Sequence, residues 1–275
     1  MTTPLRLRLH SVHTLYVQEE MNIKIKIHIP LILLFLVSRI GFANDYVDRG
    51  FPATDRTWMG QDYVNVYQLI NSDRSSLPDF SSKDGKAIIK RLTDTSNFEF
   101  CKDKSLPIGQ RLQNFLQVSQ ASNSVMMLYA TKLYSEQVYA GETADMLAFS
   151  LYLAEVGIDL MNEFIPTIPK DDQYEVRMQG VKQMFSGITT QVSGAEVTLT
   201  EKETFSAENR LIILEAIHAT LPKLKVAFSN EFKKELSNRF EKQKQNFEET
   251  QIVLIEEIIK ELESPLRTTI LAAPK

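Results

Sequence analysis

The sequence predicts an all-α protein, a multi-helix bundle of about seven or eight helices. Three observations indicate this class. Apolar residues recur three or four positions apart through most of the chain. Hairpin signals and alternating β-branched residues are absent from the sequence, apart from a weak strand-like pattern at 197–200. The composition, 43% hydrophobic and 24% charged, is that of an ordinary globular domain.

Residues 21–43 have the pattern of a cleavable secretory signal peptide. Two lysines precede an apolar run from Ile29 to Val37, and small residues follow at Gly41 and Ala43. The run has about half the roughly 20 residues that a membrane-spanning helix needs, so a retained membrane anchor is the weaker interpretation. We therefore expect cleavage after Ala43.

The signal peptide indicates secretion across an inner membrane, into a periplasm or cell envelope. Residues 1–20 form an extension with no recognisable element, so translation could start at Met1 or at Met21. The sequence holds no N-glycosylation motif, which is compatible with a bacterial source. Once residues 1–43 are removed, we expect no permanent membrane span.

Removal of residues 1–43 leaves one histidine, His218, and one cysteine, Cys101. Zinc sites use three or four Cys, His or carboxylate ligands, so we expect neither a metal site nor a cofactor. Cys101 lies beside Phe98 and Phe100 and is expected to be buried rather than paired in a disulfide. The formal net charge of −4 argues against a nucleic-acid partner.

The mature chain is predicted to hold one helical domain over residues 58–264, between an extended leader at 44–57 and a C-terminal tail at 265–275. The first predicted helix begins near Trp58 and ends before 71–78. Ser82 is the expected N-cap of a short second helix.

A third helix is predicted to open at Ser105 and Pro107 and to stop at Gly141. From 142 to 164 the sequence is apolar nearly all round, which predicts a buried central helix. Its carboxylates Glu155, Asp159 and Glu163 stand four residues apart, in one line along the helix. One interpretation is a site for a cation or a basic partner, and the other is simply the solvated edge of the helix.

The next helix carries the most regular apolar pattern of the chain, with a period of 3.5 residues over 174–199. Three glycines at seven-residue spacing run beside it. Each glycine inside a helix costs about 0.8–1.0 kcal/mol relative to alanine, so we expect a neighbouring helix to pack closely there, with 142–164 approaching through Ala154 and Gly157. We call the following residues the glycine seam: Gly180, Val181, Phe185, Gly187, Ile188, Val192 and Gly194.

The C-terminal third is predicted to form a long amphipathic helical segment. Ser206 and Ser229 are expected N-caps, and Pro222 is expected to end or kink the helix between them. A wholly polar stretch at 241–246, followed by a capping-box pattern at Asn246 and Glu249, favours two helices over one.

Three functions fit these observations. The first is a non-enzymatic envelope protein that binds another protein, or a second copy of itself, through helix faces. The second is a helical hydrolase of envelope glycans that uses Glu142, Glu155 or Asp159 as its carboxyl pair. The third is a carrier of an apolar ligand between the tyrosines and methionines of 126–152. The missing histidines and the missing nucleophile motifs favour the first, so we expect no catalytic residues.

Overall fold

A computed structural model describes residue 66 and residues 77–265, and this part of the chain is helical and contains no strand. The all-α prediction is confirmed. The signal peptide, the leader and the tail beyond 265 lie outside the described residues. Of the predicted first helix, only Val66 is described, and it is helical and buried. Residues 77–265 hold seven α-helices: α1 (Lys83–Leu92), α2 (Ile108–Glu136), α3 (Ala140–Phe164), α4 (Tyr174–Thr198), α5 (Ala207–Leu224), α6 (Asn230–Gln243) and α7 (Glu249–Glu263).

Three of these helices begin at the serines that the sequence indicated. The Ser82 hydroxyl accepts a hydrogen bond from the Gly85 amide, at 2.9 Å. Ser206 and Ser229 cap α5 and α6 in the same way. Each hydroxyl satisfies an amide that has no partner inside its own helix, and this fixes where the helix starts.

The boundary between α2 and α3 differs from the prediction. Gly141 was expected to end the earlier helix, but α2 ends at Glu136 and Gly141 lies inside α3. The chain reverses instead through Gln137 (φ 58°) and Tyr139 (φ 68°), two non-glycine residues in the left-handed region. Gly141 serves packing, because a Cβ there would lie 3.0 Å from the ring of Phe80.

Consecutive long helices pair as antiparallel hairpins. In α2 and α3, Arg111 near the start of one helix bonds Glu163 near the end of the other. In α4 and α5, Thr189 approaches the Ala227 carbonyl just beyond α5 (3.4 Å), and Arg210 donates to the Leu199 carbonyl (3.5 Å). In α6 and α7, the contacts are Ser237 with Glu263 and Lys244 with Glu256.

The three hairpins stack side by side, so that α3, α5 and α7 form one layer of parallel helices. Between α3 and α5, Gly141 lies near Asn209 at one end, and Glu155 bonds Lys223 at the other. Between α5 and α7, the matching pairs are Ala207 with Gln251 and Lys225 with Glu261. The helices α2, α4 and α6 make the other layer: Met126 of α2 and Gly194 of α4 line one cavity, and Glu196 of α4 pairs with Arg239 of α6.

Helix α3 is the centre of the molecule, as predicted for 142–164. Its buried residues, from Glu142 to Met161, cover most of the helix circumference, and one edge with Asp145, Tyr152 and Asp159 stays partly exposed. Among the described elements, its most extensive contacts are with α5 and α2. The short α1 is followed by a 3₁₀-helix, Thr95–Lys102, which packs on α2 and α3.

The C-terminal segment is two helices, which confirms that interpretation. A 3₁₀-turn, Lys244–Asn246, separates α6 from α7. The capping box lies two residues later than predicted, on Glu248 and Gln251. Pro222 does not end α5 but sits in its last turn. The strand-like pattern at 197–200 is the helical end of α4 and the turn after it.

None of the described helices combines the length and the apolar content that crossing a bilayer requires. Helix α3, the most apolar of them in sequence, carries four acidic residues: Asp145, Glu155, Asp159 and Glu163.

Candidate functional site

The three aligned carboxylates of α3 are joined to the neighbouring helices by basic side chains. The Lys223 ammonium of α5 lies 2.8 Å from Glu155 and 2.8 Å from Asp159. The Arg111 guanidinium of α2 donates to Glu163 at 2.5 Å. These cations offset the repulsion between carboxylates one turn apart. The row therefore ties α3 to both of its main neighbours.

The pKa values in this row follow from the same contacts. The hydrogen bond from Arg111 holds the pKa of Glu163 below its ordinary value. Partial burial acts to lower the pKa of Lys223, but its hydrogen bonds to Asp159 and Glu155 outweigh burial and raise it. The Lys223 ammonium and the Glu163 carboxylate are therefore charged at neutral pH. The Asp159 and Glu163 side chains keep 49% and 39% of their surface exposed, so the row remains accessible from solvent.

His218 pairs with a residue that the sequence did not indicate. Its Nε2 lies 2.9 Å from Glu257 of α7. Both side chains are partly exposed. This contact links α5 to α7.

A second polar cluster holds the chain before α1 against the hairpin of α2 and α3. The Leu77 amide donates to the Tyr139 hydroxyl (3.0 Å), and the Tyr129 hydroxyl donates to the Pro78 carbonyl (2.8 Å). The Phe80 amide donates to Glu142 at 2.6 Å. Glu142, one of the three proposed hydrolase carboxylates, is buried and bonded to backbone here.

Asp145 lies one turn beyond Glu142 on α3 and is half-buried. Burial, and next the neighbouring Glu142 carboxylate, raise the pKa of Asp145. Glu155 and Asp159, the other proposed hydrolase residues, lie farther along α3 and bind Lys223.

The apolar-ligand hypothesis concerns the methionines and tyrosines around Met126. A cavity of about 10 Å³ lies there, lined by α2, α3 and α4 and by Phe205. This volume is at the lower limit for one water molecule. Met126 and Tyr129 are buried in the same packing, at 3% and 0% exposure. These side chains therefore form core.

The glycine seam of α4 faces the interior over much of its length. Val181, Phe185, Ile188 and Val192 are buried. Gly187 and Gly194 are buried and Gly180 is half-buried, and Gly194 lines the cavity beside Thr143 and Leu147 of α3. The close approach predicted at Gly157 has a different partner, because a Cβ there would lie 2.6 Å from the Phe115 ring of α2.

Cys101 is a free thiol with no exposed surface. Burial raises its pKa to about 12, so the reactive thiolate does not form at neutral pH. Among residues 77–265, no group of three or more His, Cys, Asp or Glu side chains is placed to hold a metal ion.

Sequence reasoning missed the ammonium of Lys225, which is buried at the end of α7. The ammonium donates to the Glu261 carbonyl at 3.0 Å and to the Ser264 hydroxyl at 2.6 Å, and it pairs with the Glu261 carboxylate at 2.7 Å. A lysine at a helix C-terminus satisfies terminal carbonyls and favours the helix dipole. The sequence places Lys225 36 residues before Glu261, and no local pattern links them.

A buried charge pair between α4 and α6 was also missed. The Glu196 side chain is 1% exposed; it lies 3.1 Å from Arg239 and accepts a hydrogen bond from Gln243. Burial raises the pKa of Glu196, and Arg239 opposes the rise. Arg239 also donates twice to the Ser193 hydroxyl, at 3.2 Å. The one signal for this pair in the sequence is that a charged residue, Glu196, stands next to the apolar residues of α4.

Comparison with protein-family models, with curated proteins and with solved structures finds no match for this chain.

Proposed function

We propose that the mature chain is a non-enzymatic helical protein of a bacterial cell envelope that works by binding another protein. The observation that carries the proposal is the use of the α3 carboxylates. Glu155, Asp159 and Glu163 hold α2, α3 and α5 together through Lys223 and Arg111, which is structural work. The described part would then act through its helix surfaces, whose charged side chains are available to bind a partner.

Export is supported by the charge and apolar pattern of residues 21–43. The test is expression of the full chain with a C-terminal tag, followed by cell fractionation and N-terminal sequencing. We expect the tagged protein in the envelope fraction with Asn44 as its first residue. A cytosolic protein that retains residues 21–43 would contradict the proposal.

Protein binding is tested in the same cells by chemical cross-linking in vivo and mass spectrometry of the tagged chain. We expect one specific protein to be cross-linked to the tagged chain and to remain with it after stringent washing. Light scattering of the purified chain separates a second copy from a different protein. A monomer without any cross-linked protein would contradict binding as the function.

A second candidate is hydrolysis of envelope glycans, and one observation favours it. Asp145 has a raised pKa and adjoins Glu142, as a general acid beside a second carboxylate would. The test is release of reducing sugar from purified peptidoglycan by the wild-type chain and by Asp145→Asn. Loss of activity in Asp145→Asn, with retention in Asp159→Asn, would establish this function, and inactive wild-type protein would remove it.

A further inference from the structure

The two helix layers of the described chain differ sharply in charge. In the layer of α3, α5 and α7, eleven acidic side chains are not buried, against two basic ones, Lys223 and Lys260. We call this layer the acidic layer. Its eleven acidic residues are Asp145, Glu155, Asp159, Glu163, Glu208, Glu215, Glu249, Glu256, Glu257, Glu261 and Glu263.

The opposite layer has a small excess of basic groups. In α2, α4 and α6, five acidic side chains are not buried: Glu136, Glu175, Glu231, Glu235 and Glu241. Seven basic ones accompany them: Lys132, Arg177, Lys182, Lys233, Lys234, Arg239 and Lys242. The negative charge of the described helices is thus collected on one side of the molecule. The sequence alone does not show this division, because acidic and basic layers alternate along the chain.

The acidic layer is continuous from helix to helix. Tyr152 of α3 is half-buried, and its pKa is raised first by burial and then by the nearby carboxylates Glu215 of α5 and Glu155 of α3. On the other side of α5, His218 meets Glu257 of α7. Glu155, Glu215 and Glu257 therefore bring carboxylates of three helices to one surface, where their fields add. Four of the eleven acidic residues have partners elsewhere: Glu163 with Arg111, Glu256 with Lys244, Glu261 with Lys225 and Glu263 with Ser237.

This surface also offers apolar contact points. Val253 of α7, one turn before Glu257, is 53% exposed and is among the most exposed large hydrophobic residues described. Tyr152 lies between the charged groups of α3 and α5. Partly exposed tyrosines and isolated apolar side chains, surrounded by charge, are typical of the contact centre and polar rim of a protein interface.

We propose that the acidic layer is the docking surface for a basic protein, one that presents a lysine- and arginine-rich segment. The inference rests on the proposed protein-binding function and names its partner class. Charge complementarity selects the occupant. A nucleic acid or a second acidic layer would be repelled, whereas a basic segment would be attracted over the whole width of three helices.

The row on α3 shows how such a segment is recognised. Lys223 places one ammonium between two carboxylates, with 2.8 Å to each. Side chains of an incoming partner would meet the remaining carboxylates in the same way. Long-range attraction would speed association, and salt would weaken it because the charges are exposed.

The test compares two triple variants that change net charge by the same amount. Glu208, Glu215 and Glu257 of the acidic layer are replaced by Gln in one, and Glu175, Glu235 and Glu241 of the opposite layer in the other. All six side chains are exposed. The probe is a fluorescein-labelled lysine-rich amphipathic peptide, and binding is measured by fluorescence anisotropy at low and at physiological salt.

We expect the acidic-layer variant to bind the peptide about tenfold more weakly than wild type, since three exposed charge pairs are lost. The opposite-layer variant should stay within about twofold of wild type. Equal weakening in both would overturn the proposal, because net charge alone would then explain binding. So would unchanged binding in both.

Cross-linking in cells separates this inference from the function on which it rests. If a partner cross-links to wild type and equally to the acidic-layer variant, protein binding stands and the docking surface is wrong. If no protein cross-links to wild type, the function itself fails. Circular dichroism of both variants confirms that each remains folded.

Discussion

At the scale of single residues, Lys225 shows how a buried charge orders a helix end. Its ammonium is 1% exposed and is surrounded by acceptors from the last turn of α7. Removing one member of a buried pair costs more than the pair contributes, because the other charge loses its compensation. The end of α7 therefore depends on a residue that lies just after α5.

Replacing Lys225 by Met should lower the free energy of unfolding by about 3 kcal/mol, the typical cost of breaking a buried ion pair. Urea unfolding followed by circular dichroism measures it. The control is Lys260→Met on the exposed side of α7, which we expect to change stability by less than about 0.5 kcal/mol. Equal effects of the two substitutions would show that Lys225 contributes no more than an exposed lysine.

Glu163 and Glu196 should respond to pH in opposite directions. The pKa of Glu196 is raised, mainly by burial, so its contribution to stability is greatest below its unfolded pKa and falls as the pH rises through its folded pKa. The pKa of Glu163 is lowered by Arg111, so its contribution is present above its unfolded pKa and is lost as the pH falls through its folded pKa.

The measurement is urea unfolding of wild type, Glu163→Gln and Glu196→Gln between about pH 4 and pH 7, across the range where carboxylates titrate. With rising pH, wild type should lose stability relative to Glu196→Gln. Over the same range, wild type should gain stability relative to Glu163→Gln. Slopes of the same sign would contradict the assigned environments.

At the scale of elements, the reversal between α2 and α3 is made without glycine. Gln137 is exposed and has φ 58°, a conformation that costs a non-glycine residue conformational energy. Tyr139 has φ 68°, but its hydroxyl holds the chain at Leu77. Gln137 can therefore be replaced without removing that contact, whereas Tyr139 cannot.

Gln137→Gly should therefore raise the free energy of unfolding by about 0.5–1 kcal/mol, through relief of the left-handed backbone. The control is Glu136→Gly one residue earlier, in the last turn of α2, which should lower it by about 0.5–1 kcal/mol. Thermal unfolding of both proteins is the measurement. A destabilised Gln137→Gly would argue against strain at this turn.

Gly157 and Gly109 should respond oppositely to alanine. At Gly157 the new Cβ would lie 2.6 Å from Phe115 Cζ in a buried contact, and such overpacking costs about 1–3 kcal/mol. Gly109 has no atom within 4 Å of that position, so alanine should stabilise α2 by up to about 1 kcal/mol. Chemical unfolding measures both, and Phe115→Leu should partly restore Gly157→Ala.

Elements were predicted best where a local pattern determines them. Ser82, Ser206 and Ser229 are seen as N-caps because the capping hydroxyl and its amide are three residues apart. The end of α2 was missed because Gly141 has the residue type of a stop signal, while its actual role is to make room for Phe80. That contact joins residues 61 positions apart, and a local pattern cannot show it.

At the scale of the whole molecule, the sequence predicted a bundle with a central helix but not its arrangement. The carboxylate row could be found from spacing alone. The basic partners of this row could not be found in that way. Lys223 lies 64 residues from Asp159 along the chain, and Arg111 lies 52 residues from Glu163. The acidic layer likewise appears only when α3, α5 and α7 are known to be neighbours.

The stacking of sequential hairpins has a consequence for the route by which the chain folds. Each long helix meets its main antiparallel partner across a short connection, so little loop-closure entropy is lost before the first stabilising contacts form. Among small domains, those rich in local contacts fold fastest. We expect stopped-flow circular dichroism to show most of the helical signal already recovered within the mixing time, with α2 and α3 able to assemble before α6 and α7 leave the ribosome or a translocation pore.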